Sequence, residues 1–211
     1  KLGLNKNVEF EKIFPAIDVK LFKPMKTKEK INNPLRILTV GRLSWQKGYD
    51  YMFDALKILE DKGYNFEYRI IGQGDYYEPL VYAVHFLGLK GKVKFLGKQN
   101  HKEIIKQMEW SDIYAQPSLQ EGFCNAVIEA QAMGLLVVVS DAQGLPENII
   151  DGETGWVVLK RDAEAIASKI VEISHLDSKA IKSYHLKAIE RAKQIFSLDN
   201  QNEKFFRFFD T

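Results

Sequence analysis

EGFCNAVIEAQAMG, residues 121–134, decides how this chain folds. Two carboxylates, Glu121 and Glu129, stand eight positions apart, with glycine and small residues between them and the start of a helical pattern. SDIYAQP (111–117) just before it reads as a strand, and the apolar run LLVVVS (135–140) just after it reads as another. Strand, loop, helix, strand is the order of a βαβ unit, which belongs to parallel sheets that take ligands outside the carboxyl ends of their strands. Glu121 falls in the loop. The helix start offers free N–H groups and a positive dipole end to an anion. Glu129, about two turns into the helix, can reach a neutral polyol such as a ribose. That layout suits a sugar nucleotide. The same residues also describe a plain surface loop before an amphipathic helix, so the flanking sequence has to decide.

Working outward, strand and helix patterns alternate. RILTVGRL (36–43) is a β-rich run ending near a glycine, and residues 44–63 read as a helix with Met52, Leu56 and Leu59 inside and Gly63 at its C-terminal end. FEYRIIGQG (66–74) and KVKFLG (92–97) read as strands, residues 76–87 and 101–110 as helices, TGWVVL (154–159) as a last strand, and the remainder as helices from Asp162 on. Near the start, residues 8–14 alternate like a half-buried strand that Pro15 ends. The expected fold is α/β: a doubly wound, mostly parallel sheet with helices on both faces. Three parts are expected: a leading segment and linker (1–34), a Rossmann-like ligand-binding domain (35–196) and a C-terminal helix (197–211).

Composition removes several classes of function. The chain has 211 residues, 45% of them hydrophobic, and a formal net charge of +2, so nothing global points to nucleic acid. The lysines at 20, 23, 26, 28 and 30 read as a solvated linker rather than a phosphate track. A lone cysteine, Cys124, allows no internal disulfide and fits a reducing, cytoplasmic compartment. No run is apolar enough to span a bilayer, and the first ten residues lack the apolar region of a signal peptide. His85, His101, His175 and His185 are scattered and no D-x-D pair occurs, so spacing supports no metal site and no metal cofactor is expected.

Three further loops follow strands. GRLSWQKG (41–48) places Gly41 at a strand end, with Arg42 and Lys47 flanking the turn; these cations can neutralise a diphosphate, or simply be surface cations. GQGD (72–75) begins like a dinucleotide fingerprint, but Tyr77 occupies its third glycine position, so it reads as a tight turn. LGKQN (96–100) offers backbone beside Gly97 and Lys98 to the edge of a base, or is a turn in which Asn100 caps the next helix. Cys124 sits at a helix start where a thiol pKa can fall, yet no base lies near it in sequence, and a packing role is favoured.

Taken together, GRLSWQKG and EGFCNAVIEAQAMG resemble the retaining glycosyltransferases of the GT4 family, which have the GT-B fold. SDIYAQPS, then Gly144, Pro146 and Glu147 as G-x-P-E, then DGETGWVV (151–158) match in order, and IFPAIDVKLFKP (13–24) is similar to the segment entering the C-terminal domain, with Ala16 and Ile17 where an asparagine–glycine pair is usual. The resemblance implies that Arg42 and Lys47 contact a donor diphosphate and act with Glu121 in catalysis. It implies that Glu121 faces the donor sugar and Glu129 the ribose. Gly41, Gly97, Lys98, Gly122, Phe123, Cys124 and Asn125 would line the donor, Cys124 standing where glycine is common. The donor would be a UDP- or GDP-linked sugar, and the acceptor a glycan or lipid-linked glycan held by an N-terminal domain that precedes these residues. The full enzyme would then work at a membrane surface, and this half alone would not transfer sugar. The alternatives are a non-catalytic nucleotide-sugar-binding subunit, half of a GT-B epimerase, or a dinucleotide-binding oxidoreductase domain. The last is disfavoured by Tyr77 and by the lack of an acidic ribose partner.

Overall fold

A computed structural model describes residues 11–24 and 26–209. Six strands run β1 Leu35–Val40, β2 Phe66–Ile71, β3 Val93–Phe95, β4 Ile113–Gln116, β5 Leu136–Ser140 and β6 Trp156–Val158. Eight α-helices accompany them: α1 Tyr49–Asp61, α2 Tyr77–Phe86, α3 His101–Trp110, α4 Asn125–Ala132, α5 Leu145–Asn148, α6 Ala163–Ser174, α7 Ser178–Phe196 and α8 Leu198–Phe209. The sheet is parallel throughout, in the order β3-β2-β1-β4-β5-β6. This is the expected doubly wound fold. The strand order reverses between β1 and β4, and at such a point two loops diverge and leave a crevice.

Strand periodicity divides the core in two. In β5, Leu136 and Val138 face one side with α1 and α6, while Val137 and Val139 face the other with α4 and α7. Every residue of β4 and β5 is buried, as in a sheet covered on both faces. Polar groups between its strands pair: Tyr68 donates to Thr39 Oγ1 at 2.7 Å, and Thr39 donates to the Ala115 carbonyl at 2.6 Å.

Several boundaries differ from the sequence reading. The helix expected over 44–63 is a short 3-10 turn, Trp45–Lys47, then Gly48 at φ 66°, then α1. The left-handed backbone of Gly48 breaks the helix, and only glycine fits there, since a Cβ would stand 2.0 Å from the Pro117 carbonyl oxygen. The strand expected at 8–14 falls partly outside the described residues. Residues 11–14 form no strand; Phe14 packs instead against Phe123 and Phe196, with ring centroids 6.1 and 5.4 Å away. The short helix α5 was not foreseen. Among the linker lysines, 20, 23, 26 and 30 are exposed, but the Lys28 ammonium is buried without a hydrogen-bond partner, and burial pulls it down to about 8, against the opposing pull of Asp112. Asn100 caps α3, one of the two alternatives for that loop, and forms a capping box with Glu103, while Asp162 caps α6.

Candidate functional site

The loop after β1 and the loop after β4 meet at the switch point and are fastened together. Leu119 N–H donates to the Gln46 carbonyl at 2.7 Å, and Gln46 Nε2 donates to Gln120 Oε1 at 3.1 Å. The joined loops carry Lys47 and Glu121 into contact, with Nζ 2.5 Å from Oε2 and side chains only 16% and 14% exposed. An ion pair this far from water is far less screened than a surface pair. Gly41 lies against the lysine, a Cβ there coming within ordinary contact, 3.4 Å, of Lys47 Cε. Arg42, on the same loop as Lys47, is exposed and makes no ion pair among the described residues.

Glu121 is held from below by a buried polar chain. Val40 N–H donates to the Tyr114 hydroxyl at 3.4 Å, which donates to Gln116 Oε1 at 2.9 Å. Gln116 Nε2 donates to Ser118 Oγ at 2.8 Å, and Ser118 donates to Glu121 Oε2 at 3.1 Å. Tyr114, Gln116 and Ser118 have no exposed surface. The sequence reading passed over these three residues. The signal was there: polar side chains at every second position of an otherwise apolar strand. The loop is also held from the side, because Gly144 lies so near it that a Cβ would stand 1.5 Å from the Gly122 carbonyl. This gives the G-x-P-E element a concrete role as a buttress for the Glu121–Gly122 turn.

α4 begins at Asn125, with Cys124 as its N-cap, so Glu129 is the fifth helical residue, little more than one turn in rather than two. Burial raises the Glu129 carboxyl above its ordinary value, with His101 acting against that, and among the described residues Glu129 has no hydrogen-bond or ion-pair partner. It is a carboxylate with acceptor capacity to spare. The Cys124 N–H is not free: it points to Asn148 Oδ1 at 3.4 Å. Burial raises the thiol to about 11, the opposite of an activated cysteine, in keeping with a packing role. The Phe123 ring turns away into the cluster with Phe14 and Phe196, leaving its backbone toward the loop. Gly122 and Asn125 are exposed.

Gly97 and Lys98 lie farther along the same edge of the sheet. Gly97 is at φ 67° with open space around it, its carbonyl accepts from Gly72 N–H at 2.9 Å, and Lys98 is exposed. GQGD is a tight turn, as read: a Cβ at Gly72 would stand 1.8 Å from the Gly41 carbonyl. Two hollows open above these loops. The larger, about 720 Å³, is lined by Arg42, Trp45, Gln73 and Asp75 among others, and a second, about 380 Å³, by Gly72, Tyr77, Leu96 and Gly97 among others. Trp45, Gln73 and Asp75 were not foreseen as lining residues. Among the described residues no group of three or more His, Cys, Asp or Glu side chains gathers that could hold a metal ion.

A parallel sheet in this strand order makes a Rossmann-like domain, and the fold matches structures of GT-B glycosyltransferases. The chain belongs to the family described as Glycosyl transferases group 1, whose pattern matches residues 22–194. It is 37% identical over 156 residues to the amylovoran biosynthesis glycosyltransferase AmsK of Erwinia amylovora, an alignment covering 71% of this chain and 38% of that protein. It resembles a solved glycosyltransferase from Rickettsia africae with a TM-score of 0.83 and 27% identity, covering 93% of this chain and 55% of that one. HepE of Anabaena, solved in complex with UDP, shares the fold with a TM-score of 0.82 and 23% identity, covering 94% of this chain and 56% of that one. The chain spans 38–46% of the length of three curated relatives it matches.

Proposed function

We propose that this chain is the donor-binding half of a retaining, GT4-type glycosyltransferase that moves a sugar from a nucleotide diphosphate sugar to an acceptor hydroxyl in glycan synthesis. The observation that carries this reading is the shielded Lys47–Glu121 pair at the switch point, with Arg42 exposed on the same loop and in no ion pair among the described residues. Lys47, Arg42 and the start of α4 meet the diphosphate and stabilise its charge as the sugar–phosphate bond breaks, so no metal is required for that task. Glu129, half-buried and without a hydrogen-bond or ion-pair partner among the described residues, accepts from the ribose hydroxyls. Glu121 accepts from a hydroxyl of the sugar. Gly97, Lys98 and the smaller hollow lie where the base would rest. HepE, solved with UDP and with UDP-glucose, supports a uridine-linked donor. AmsK, named for amylovoran biosynthesis, supports a polysaccharide product.

The acceptor belongs to a second domain in this reading, since GT-B relatives of about twice this length align to it over roughly half their chains. Holding donor and acceptor together is worth roughly 7–11 kcal/mol of barrier, so these 211 residues alone are expected to transfer no sugar. Calorimetry with UDP, GDP and ADP, each in EDTA, tests donor binding. At least one is expected to bind; binding of none by a folded sample overturns the assignment. Glycoside formation by this chain alone from a panel of nucleotide sugars and simple acceptors would place the acceptor site within it and refute the half-enzyme reading.

A further inference from the structure

The chain of hydrogen bonds beneath Glu121 has a direction. Val40 N–H is a donor only, so the Tyr114 oxygen accepts from it, and the hydroxyl proton has two acceptors, Gln116 Oε1 at 2.9 Å and the Val40 carbonyl at 3.2 Å, of which Gln116 is the nearer. With Oε1 taken, the Gln116 amide presents its N–H₂ to Ser118 Oγ, and the serine proton is left for Glu121 Oε2. Ser118 is also gripped through its own backbone, because Ser140 Oγ donates to its carbonyl. A serine with no exposed surface that needed only a partner could have bonded a nearby carbonyl. This one spends its proton on the carboxylate oxygen that also meets Lys47. Oε2 therefore receives two donors, and Oε1 receives none among the described residues.

We infer that Ser118 is a positioning residue: it fixes the Glu121 carboxylate by Oε2 so that Oε1 is presented to a hydroxyl of the donor sugar, with Gln116 and Tyr114 setting the direction of its proton. This rests on the donor-binding reading above. Its signature is a selective loss. The Ser118→Ala variant keeps the affinity for the bare nucleoside diphosphate within about twofold, but loses about tenfold of the extra affinity for the nucleotide sugar, the size of one hydrogen bond to a charged group. Tyr114→Phe, which removes the start of the chain and keeps the ring, gives a smaller loss of the same kind and serves if Ser118→Ala does not fold. Ser118→Thr, which keeps the hydroxyl, retains the increment.

The test is calorimetry of the unaltered chain and the three variants with UDP and UDP-glucose, or with the matching pair for whichever base binds, alongside thermal melts and a crystal structure of Ser118→Ala. Selective loss of the sugar increment supports the inference. An equal fall in both affinities marks Ser118 as merely structural and overturns it, and so does an unchanged increment. If the unaltered chain binds no nucleotide, the donor reading falls, and the crystal structure decides the positioning contact by itself: the Glu121 carboxylate, held by Lys47 alone, is expected to rotate so that Oε1 changes direction, and an unmoved carboxylate overturns the inference.

Discussion

Replacing Gly144 with alanine separates the strain of a backbone conformation from the cost of a collision. Gly144 sits at φ 85°, and a Cβ there would stand 1.5 Å from the Gly122 carbonyl oxygen, 2.5 Å from its carbon and 3.1 Å from the Glu121 carbonyl oxygen. Those atoms are backbone and cannot swing aside as a side chain would. Gly152 is the control: it sits at φ 74° with nothing within 4 Å of its would-be Cβ. Both alanines incur left-handed strain of about 1–2 kcal/mol, and both regain part of it, about 0.4–1 kcal/mol, by restricting the unfolded chain. These terms cancel between the two variants. What remains is the collision, about 1–3 kcal/mol by comparison with overpacked cores. For a chain of this length that lowers the melting temperature of Gly144→Ala by roughly 2–12 °C relative to Gly152→Ala. Urea and thermal melts measure the difference. Because the collision moves the turn that carries Glu121, Gly144→Ala should also lose affinity for a nucleotide sugar while Gly152→Ala keeps it. Equal melting temperatures, or equal donor affinities, would refute the buttress argument.

Lys47→Met should weaken nucleoside diphosphate binding by about 10- to 100-fold, the range for losing a charged contact, and calorimetry would show whether it does. Glu121→Gln should leave bare-nucleotide affinity intact or raise it, since Lys47 is then released, while abolishing the preference for nucleotide sugar; a fall in both would mean that the two carboxylates do not divide the donor as proposed. Glu129→Gln should weaken the nucleotide by about 1–3 kcal/mol yet melt higher than the unaltered chain at pH 7. Burial raises the folded-state pKa of Glu129, so its ionised form opposes folding: stability falls as pH rises from the ordinary carboxylate range through the raised one, and the advantage of glutamine should vanish in acid. The Cys124 thiol, buried and raised to about 11, should react with a thiol reagent at pH 8 at least about tenfold more slowly in the native chain than in urea.

The fold was legible because its two periodicities are clean. β4 and β5 are short apolar runs bounded by loops, and α1 shows Met52, Leu56 and Leu59 on one face, all fully buried. What escaped reading depends on contacts between distant loops. Nothing near Gly48 announces that the Pro117 carbonyl lies against it, so the sequence shows one helix where the chain makes a 3-10 turn and then α1. Phe14 alternates as a strand residue would, but its partners are Phe123 and Phe196, more than 100 positions away. Lys28 belongs to a run of lysines by sequence, yet it alone among them has its ammonium buried. At the site, the charged residues could be picked out because charges at strand ends stand out. Tyr114, Gln116 and Ser118 left only an alternation of polar side chains, and their meaning depends on Val40 and Glu121 standing at either end of one hydrogen-bond chain.

On the proposed reading, the same contact explains why the site would prefer a nucleotide sugar to a bare nucleotide. Without a donor, Lys47 is already neutralised by Glu121, in surroundings where neither side chain has much access to water. An incoming diphosphate competes with Glu121 for that ammonium. If Glu121 merely lost its cation, a nearly buried carboxylate would be left short of partners, and such a loss costs a large part of what the diphosphate gains. Two features change the balance. Arg42, exposed and in no ion pair among the described residues, adds a cation that none of their carboxylates holds back. Ser118 keeps one donor on Glu121 whatever Lys47 does. The last donor needed is a hydroxyl reaching Oε1, which the sugar supplies and the bare nucleotide lacks. Recognition of the diphosphate and recognition of the sugar are thereby coupled through a single carboxylate, and the coupling requires no movement larger than the exchange of one lysine's partner.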